Sequence, residues 1–283
     1  MTSIDLMIAG AQKAGTSTLK AALDSHPGVR RQLPLEADYF LTKEPVEWED
    51  WASRYIAKGD GKVVCKQAFL TRDARAVRRL RDIAPQVRIV FVLREPVNRL
   101  LSGFGMGRAD WIDFGPEELE RILDAEAAGT YHVGRNALLK PGDYAHAAEL
   151  LRASFAPEQI DWVLFEDLKR DAASVTSRIL RGLDLPETGF TVRHENAAAT
   201  VRSHGLQRLV RIGTRSTTYR RLRARLPYST IDRARRLYER LNRRSVVATE
   251  RVAFPDALLE RLRLHYAEKN KTFTDMTGVT LPW

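Results

Sequence analysis

An apolar run at residues 4–9 empties directly into Gly10-Ala11-Gln12-Lys13-Ala14-Gly15-Thr16-Ser17-Thr18, and few folds accept that order. A short apolar run bounded by glycine reads as a buried strand. The helical pattern that follows starts near Thr16, puts Leu19, Ala22 and Leu23 on one face, and stops near His26-Pro27-Gly28. A glycine-bearing turn from strand into helix presents backbone N–H groups and the positive end of the helix dipole to an anion. Gly10 and Gly15 let the chain turn tightly, while Thr16, Ser17 and Thr18 add hydroxyl donors. The two glycines have the nucleotide-kinase spacing, but Thr16 stands where that pattern has lysine, and the cation sits inside the loop at Lys13.

The same alternation continues along the chain. Strands are expected at residues 63–65, 87–93 and 160–165, and helices at 75–83, from about Val97, and at 117–127, 144–155 and 172–181. Strands alternating with helices predict an α/β fold of three layers, a central parallel sheet flanked by helices. Ligands then bind at the carboxyl ends of the strands. From about Arg202 onward no strand is evident, and the chain reads as basic and helical, ending in the amphipathic stretch 254–276. With no repeat and no linker, one domain over residues 1–283 is the economical reading, with an α/β core at 4–185 and a basic helical part at 200–283.

Charge sharpens the picture. The chain of 283 residues carries a net +10, but residues 202–244 hold 14 arginines, no lysine and two acids, so the remainder is slightly acidic. That segment reads as a solvated helical face, an anion-facing lid or a polyanion-binding surface. Aromatic interleaving, zinc spacing and a helix-turn-helix signature are all missing from it, which argues against nucleic acid. One cysteine, Cys65, excludes an internal disulfide framework and a cysteine-rich metal site. No stretch approaches the roughly 20 apolar residues of a membrane span. The N-terminus lacks the basic and apolar regions of a signal peptide, so a cytoplasmic setting is expected.

The strand at 87–93 ends in Arg94-Glu95-Pro96-Val97-Asn98-Arg99-Leu100-Leu101-Ser102-Gly103-Phe104. Arg94 at the strand end and Ser102 in the next helix can converge on one phosphate, the first with a fork of donors and the second with a hydroxyl.

With this second motif the sequence resembles the family of sulfotransferases that use 3′-phosphoadenosine-5′-phosphosulfate (PAPS). The loop 10–18 is similar to the family's 5′-phosphosulfate loop, and the run 94–104 to its 3′-phosphate motif, with Glu95 a departure. Gly142-Asp143-Tyr144, Pro157-Glu158-Gln159-Ile160 and Phe165-Glu166-Asp167-Leu168 agree with later family patterns, as does the tail from Asn270 to Trp283. The resemblance implies a P-loop-like fold and sulfuryl transfer from PAPS, without a required metal, to a hydroxyl or amine of a small-molecule or glycan acceptor.

It also implies site residues. Gln12, Lys13, Ala14, Gly15, Thr16, Ser17 and Thr18 hold the 5′ end, with Lys13 stabilising the leaving phosphate. Arg94 and Ser102 take the 3′-phosphate, Arg99 braces that motif, and Arg202 is the candidate from a segment closing over the nucleotide. Glu36, in Leu33-Pro34-Leu35-Glu36-Ala37-Asp38-Tyr39-Phe40, matches the glycan-type branch's base, although Leu35 replaces the family lysine. Lys66 matches a lysine facing the sulfuryl group, with Cys65, Gln67 and Ala68 replacing its usual neighbours. His26 reads as a turn residue, and His132 is an alternative base. Trp48, Trp51, Tyr55, Trp111, Phe114 and Tyr131 are either packing residues or the wall of an acceptor site. Two competing readings remain at this point: an ATP-dependent P-loop kinase and a non-enzymatic polyanion-binding protein.

Overall fold

The computed structural model describes residues 2–110, 116–130, 139–192 and 253–283, with 199–201, 243–245 and a few positions between 226 and 238. Five parallel strands form the central sheet: β1 (Leu6–Gly10), β2 (Val29–Arg31), β3 (Lys62–Lys66), β4 (Arg88–Leu93) and β5 (Ile160–Leu164), in the spatial order β2-β3-β1-β4-β5. All five residues of β1 are buried, as are five of the six in β4, as expected of central strands covered on both faces. The chain leaves β1 toward β3 and β2, then crosses to β4 and β5 on the other side. The order therefore reverses at β1, where an open α/β sheet leaves a crevice at its strand ends.

The helices α1 (Thr16–Asp24), α2 (Trp48–Tyr55), α3 (Ala74–Ile83), α4 (Pro96–Asp110), α5 (Pro116–Ala127), α6 (Tyr144–Arg152), α7 (Phe165–Arg170) and α8 (Ala172–Arg181) connect and cover these strands. Helix α3 shows the local logic. Asp73 caps it by accepting from the N–H of Arg75 at 2.9 Å, Ala76, Val77 and Leu80 are buried, and Pro85 follows its end. The C-terminal helices α9 (Asp256–Lys269) and α10 (Phe273–Thr277) close the chain. Leu258, Leu262 and Tyr266 of α9 join Leu100, Phe104 and Leu119 in a second core beside the sheet. The three residues of α9 lie four apart on one face, and each such leucine contributes about 1.5–3 kcal/mol on burial.

The expected strands and helices of the first 185 residues are present, with three additions: helix α2, helix α7, which starts at Phe165 where the strand was expected to end, and strand β2. The strand β2 is not among the expected ones. It is a three-residue edge strand, Val-Arg-Arg, with no apolar alternation to announce it. Farther along, the expectation of no strand beyond Arg202 is corrected, because Arg243–Ser245 (β7) pairs antiparallel with Ala199–Val201 (β6). An arginine-rich triplet hides a strand for the same reason. Met1–Glu195 with Val252–Trp283 form one compact unit and Asn196–Arg251 a second. Most of the arginine-rich segment, Arg202 included, lies outside the described residues, as do Trp111, Phe114, Tyr131 and His132. Among the described residues no helix is long and apolar enough to cross a membrane.

Candidate functional site

Three adjacent strands, β3, β1 and β4, deliver their carboxyl ends to the same edge of the sheet, and each brings a candidate residue with it. From β1 comes the phosphate loop. Gly10 pairs with Phe91 of β4, and a Cβ at this glycine would lie 2.4 Å from the Phe91 ring, so no other residue fits. Lys13 takes a left-handed conformation at φ 68°, and Gly15, at φ 83°, starts α1. A side chain at Gly15 would press on Phe165 and Leu168. Among the described residues no side chain caps α1, and its first turn carries no acid, so the N–H groups of that turn stay directed at the crevice. Burial, and then the neighbouring Arg94, pull the Lys13 ammonium below its ordinary pKa.

From β3 comes Lys66, only 1 % exposed. Its Nζ lies 2.5 Å from Oε1 of Glu36 and 3.3 Å from Oγ of Ser17, so loop, strand end and the 33–40 segment meet at this ammonium. The other Glu36 oxygen, Oε2, accepts from the N–H of Ala68 at 2.8 Å. The Glu36 segment is itself pinned to β3. Gln32 accepts from the Lys66 N–H at 2.9 Å and donates to the carbonyls of Lys66 and Pro34, while the Ala37 N–H donates to the Lys66 carbonyl at 2.7 Å. Leu35, at the position of the family lysine, points outward and is exposed.

From β4 comes Arg94. Its Nη1 donates to the Lys13 carbonyl at 2.7 Å, and its guanidinium lies 4.6 Å from the centre of the Phe165 ring, the same ring that Gly15 approaches. The phosphate loop and the second motif are therefore tied directly to each other. Tyr144, at the start of α6, donates its hydroxyl to the Arg94 carbonyl at 2.5 Å and accepts from the Arg94 N–H at 3.2 Å. Asn270, just past α9, holds Tyr144 in turn: Oδ1 accepts from the N–H groups of Tyr144 and Ala145, and Nδ2 donates to the Gly142 carbonyl. Ser102 sits in α4, half-buried. Arg99 is fully buried within the second core and bonds to Tyr266, consistent with a bracing role for the motif.

Other sequence candidates have structural duties. His26 is buried, and its Nδ1 accepts from the Gly28 N–H at 3.0 Å, closing the turn after α1. Trp48, Trp51 and Tyr55 pack with Tyr39 and Phe40 in one aromatic cluster. Cys65 is buried, and burial pushes its thiol up to about 12. The Tyr144–Asn270 brace is invisible to sequence reasoning. The Gly-Asp-Tyr pattern marks Tyr144, but nothing in the sequence pairs it with a residue so distant.

Comparison with known proteins agrees with this geometry. Residues 3–274 match the family model described as the sulfotransferase domain. The bifunctional heparan sulfate N-deacetylase/N-sulfotransferase 1 of Caenorhabditis briggsae is 25 % identical over 198 residues, 66 % of this chain and 23 % of that protein. Its Caenorhabditis elegans counterpart is 25 % identical over 193 residues, 66 % of this chain and 22 % of that protein. The chain thus spans under a quarter of the length of these curated relatives. A solved sulfotransferase from Alicyclobacillus acidocaldarius shares the fold, with a TM-score of 0.58, 21 % identity, and coverage of 74 % of this chain and 90 % of that one. A match from residue 3 to residue 274, laid over a parallel sheet with a phosphate loop at its switch point, places the chain in the sulfotransferase domain family.

Proposed function

We propose that this chain transfers a sulfuryl group from PAPS to a hydroxyl or amine of a small-molecule or glycan acceptor. The observation that carries the reading is the contact of Glu36, Lys66 and Ser17 beside the phosphate loop. It joins a proton acceptor, a buried cation and the loop within hydrogen-bond reach.

Sulfuryl transfer resembles phosphoryl transfer: attacking and leaving oxygens lie in line, and the protein positions groups and stabilises charge. In this reading the open N–H groups at the start of α1, with Gln12, Ala14, Gly15, Thr16, Ser17 and Thr18, cradle the 5′-phosphosulfate. Lys13 offsets the charge that grows on the leaving 5′-phosphate. Arg94, fixed from below by Tyr144, and Ser102 hold the 3′-phosphate, and Arg202 is the candidate cation of the closing segment. Glu36 takes the acceptor proton as the acceptor–sulfur bond forms and the sulfur–oxygen bond to the 5′-phosphate breaks. Protonation of Glu36 weakens its hold on Lys66, whose ammonium is then available to the sulfuryl oxygens as charge shifts onto them. The donor half is carried by residues 4–185, and we read residues 1–283 as one functional domain. The names of the worm relatives join sulfuryl transfer to nitrogen on heparan sulfate, so glycan amines are the first acceptors to test.

The test has two stages. The melting temperature should rise with 3′-phosphoadenosine-5′-phosphate (PAP) in the absence of Mg²⁺, and not with ATP and Mg²⁺; the opposite pattern would favour the kinase reading. Incubation with PAPS and a panel of metabolite and glycan acceptors should then give a product heavier by one sulfuryl group. Loss of that product in Lys13→Ala completes the assignment.

A further inference from the structure

The segment that carries Glu36 is fastened on both sides, and one fastening is an arginine outside the donor motifs. Before Glu36, Gln32 bonds to the backbone of Lys66 and Pro34. After it, the chain makes a 3₁₀ turn at Asp38–Leu41, with Tyr39 and Phe40 buried and Asp38 exposed. Such a turn leaves its last carbonyls without partners inside the turn. Arg79 of α3 supplies them. Its Nη1 donates to the carbonyls of Tyr39, Phe40 and Thr42 at 2.8, 3.0 and 2.9 Å. Its guanidinium also lies 5.6 Å from the centre of the Tyr39 ring.

Helix α3 is a firm support for this contact, capped by Asp73 and packed through Ala76, Val77 and Leu80 on either side of Arg79. Burial of Tyr39 and Phe40 sets how deep the turn sits, but apolar contact has no direction. Three hydrogen bonds to carbonyls of residues 39–42 fix how the turn is rotated. That rotation reaches Glu36 through one residue. The Ala37 carbonyl accepts from the Phe40 N–H at 3.2 Å, and the Ala37 N–H donates to the Lys66 carbonyl at 2.7 Å. Glu36, next along, places Oε1 2.5 Å from Lys66 Nζ and Oε2 2.8 Å from the Ala68 nitrogen. Leu35 and Asp38 are exposed, so packing of those side chains adds little to the hold.

We propose that Arg79 is a positioning residue for the transfer step: by fixing the backbone of residues 39–42 it holds the Glu36 carboxylate against Lys66 and the Ala68 N–H. The proposal rests on the sulfotransferase reading, in which Glu36 takes the acceptor proton, and adds the residue that keeps this base in place. Arg79 touches neither donor nor acceptor and acts through the turn. Its bonds are charge-assisted, each about twice as strong as a neutral one, which suits a segment that must stay in register while a proton moves. A planar fork serves three closely spaced carbonyls better than a single ammonium does.

The test uses the full chain with Arg79→Met and Arg79→Lys, each alone and combined with Glu36→Gln. Amide hydrogen exchange, resolved by residue, reads the hold directly, because the Ala68 N–H is bonded to Glu36 itself. In Arg79→Met the amides of Ala37 and Ala68 should exchange at least about tenfold faster, while those of β4 change less than about twofold. Turnover is read as PAP released from PAPS with the pooled acceptor panel. Arg79→Met should lose about 10- to 100-fold in kcat, with the KM for PAPS within about twofold. Arg79→Lys keeps donors without the fork and should recover part of both losses. Added to Glu36→Gln, Arg79→Met should cost less than about a further twofold, since the base is already gone. An arginine that only stabilises the fold would lower turnover equally in both backgrounds. That result, or unchanged exchange at Ala68, would overturn the proposal and leave the sulfotransferase reading standing. An unchanged PAP-induced rise in melting temperature shows that a variant is folded; if Arg79→Met fails this check, Arg79→Lys carries the same comparisons. A wild type that releases no PAP and gains no stability from it would overturn the reading itself, while the exchange result would still decide the hold on Glu36.

Discussion

The contact between Glu36 and Lys66 can be dissected by charge. Lys66 is almost fully buried, and Glu36 is the carboxylate that faces it at 2.5 Å, with its side chain 21 % exposed. Glu36→Gln leaves shape and most hydrogen bonds in place but strands the Lys66 ammonium without its counter-charge. Breaking a buried pair from one side costs about 3–5 kcal/mol. Water reaching the exposed part of position 36 lowers that to about 2 kcal/mol. For a chain of this size, 2 kcal/mol corresponds to a fall of about 4–8 °C in melting temperature. Lys66→Met behaves differently. It replaces the cation with an apolar side chain of similar length and leaves Glu36 bonded to the Ala68 N–H and water, so the melting temperature should change by less than about 2 °C. The double variant should resemble Lys66→Met rather than the sum of the two. Activity should not follow stability: under the proposed mechanism each single variant should lose at least about 100-fold in kcat, because one lacks the proposed base and the other the proposed cation. Differential scanning calorimetry and PAPS-dependent turnover on the four proteins complete the cycle. Additive melting shifts, or a Glu36→Gln variant with near-full turnover, would refute the reasoning.

Other substitutions test the donor side. Lys13→Ala should reduce kcat by about 100-fold or more while weakening PAP binding less than tenfold, as expected of a group that acts on developing charge; equal losses would place it in ground-state binding only. Arg94→Lys removes the fork and its stacking on Phe165. It should weaken PAP by about 10- to 100-fold relative to adenosine 5′-phosphate, which lacks the 3′ group, measured by competitive titration. Tyr144→Phe leaves the Arg94 N–H and carbonyl without their partner and should cost about 1–3 kcal/mol in stability. Much of that loss should reappear as weaker PAP binding, and a stability loss with unchanged PAP affinity would show that Tyr144 supports the core alone.

Much of the proposed donor site is legible in the amino-acid sequence. The loop 10–18 and the run 94–104 each follow a buried strand, and local pattern is enough to place both at strand ends. What pattern does not supply is adjacency. That β3 lies beside β1, and so brings Lys66 to Ser17 and Glu36, depends on the sheet order, which no local window encodes. Short elements escape for another reason. The strands β2 and β7 are arginine-rich triplets held by ladder bonds to a neighbour rather than by apolar side chains, so their sequences carry no period of two.

The brace from Asn270 through Tyr144 to Arg94 also bears on how the chain matures during synthesis. Strand β4 and the phosphate loop leave the ribosome early and can form the sheet as they emerge. The amide that fixes Tyr144 lies 126 residues farther along the chain, after α9. Until it emerges the Arg94 backbone lacks a settled support, and the half-built site proposed for the donor should bind nucleotide poorly. A nascent chain stalled before residue 270 should therefore be more open to proteases around α6 than one stalled after it, and PAP should protect only the longer chain.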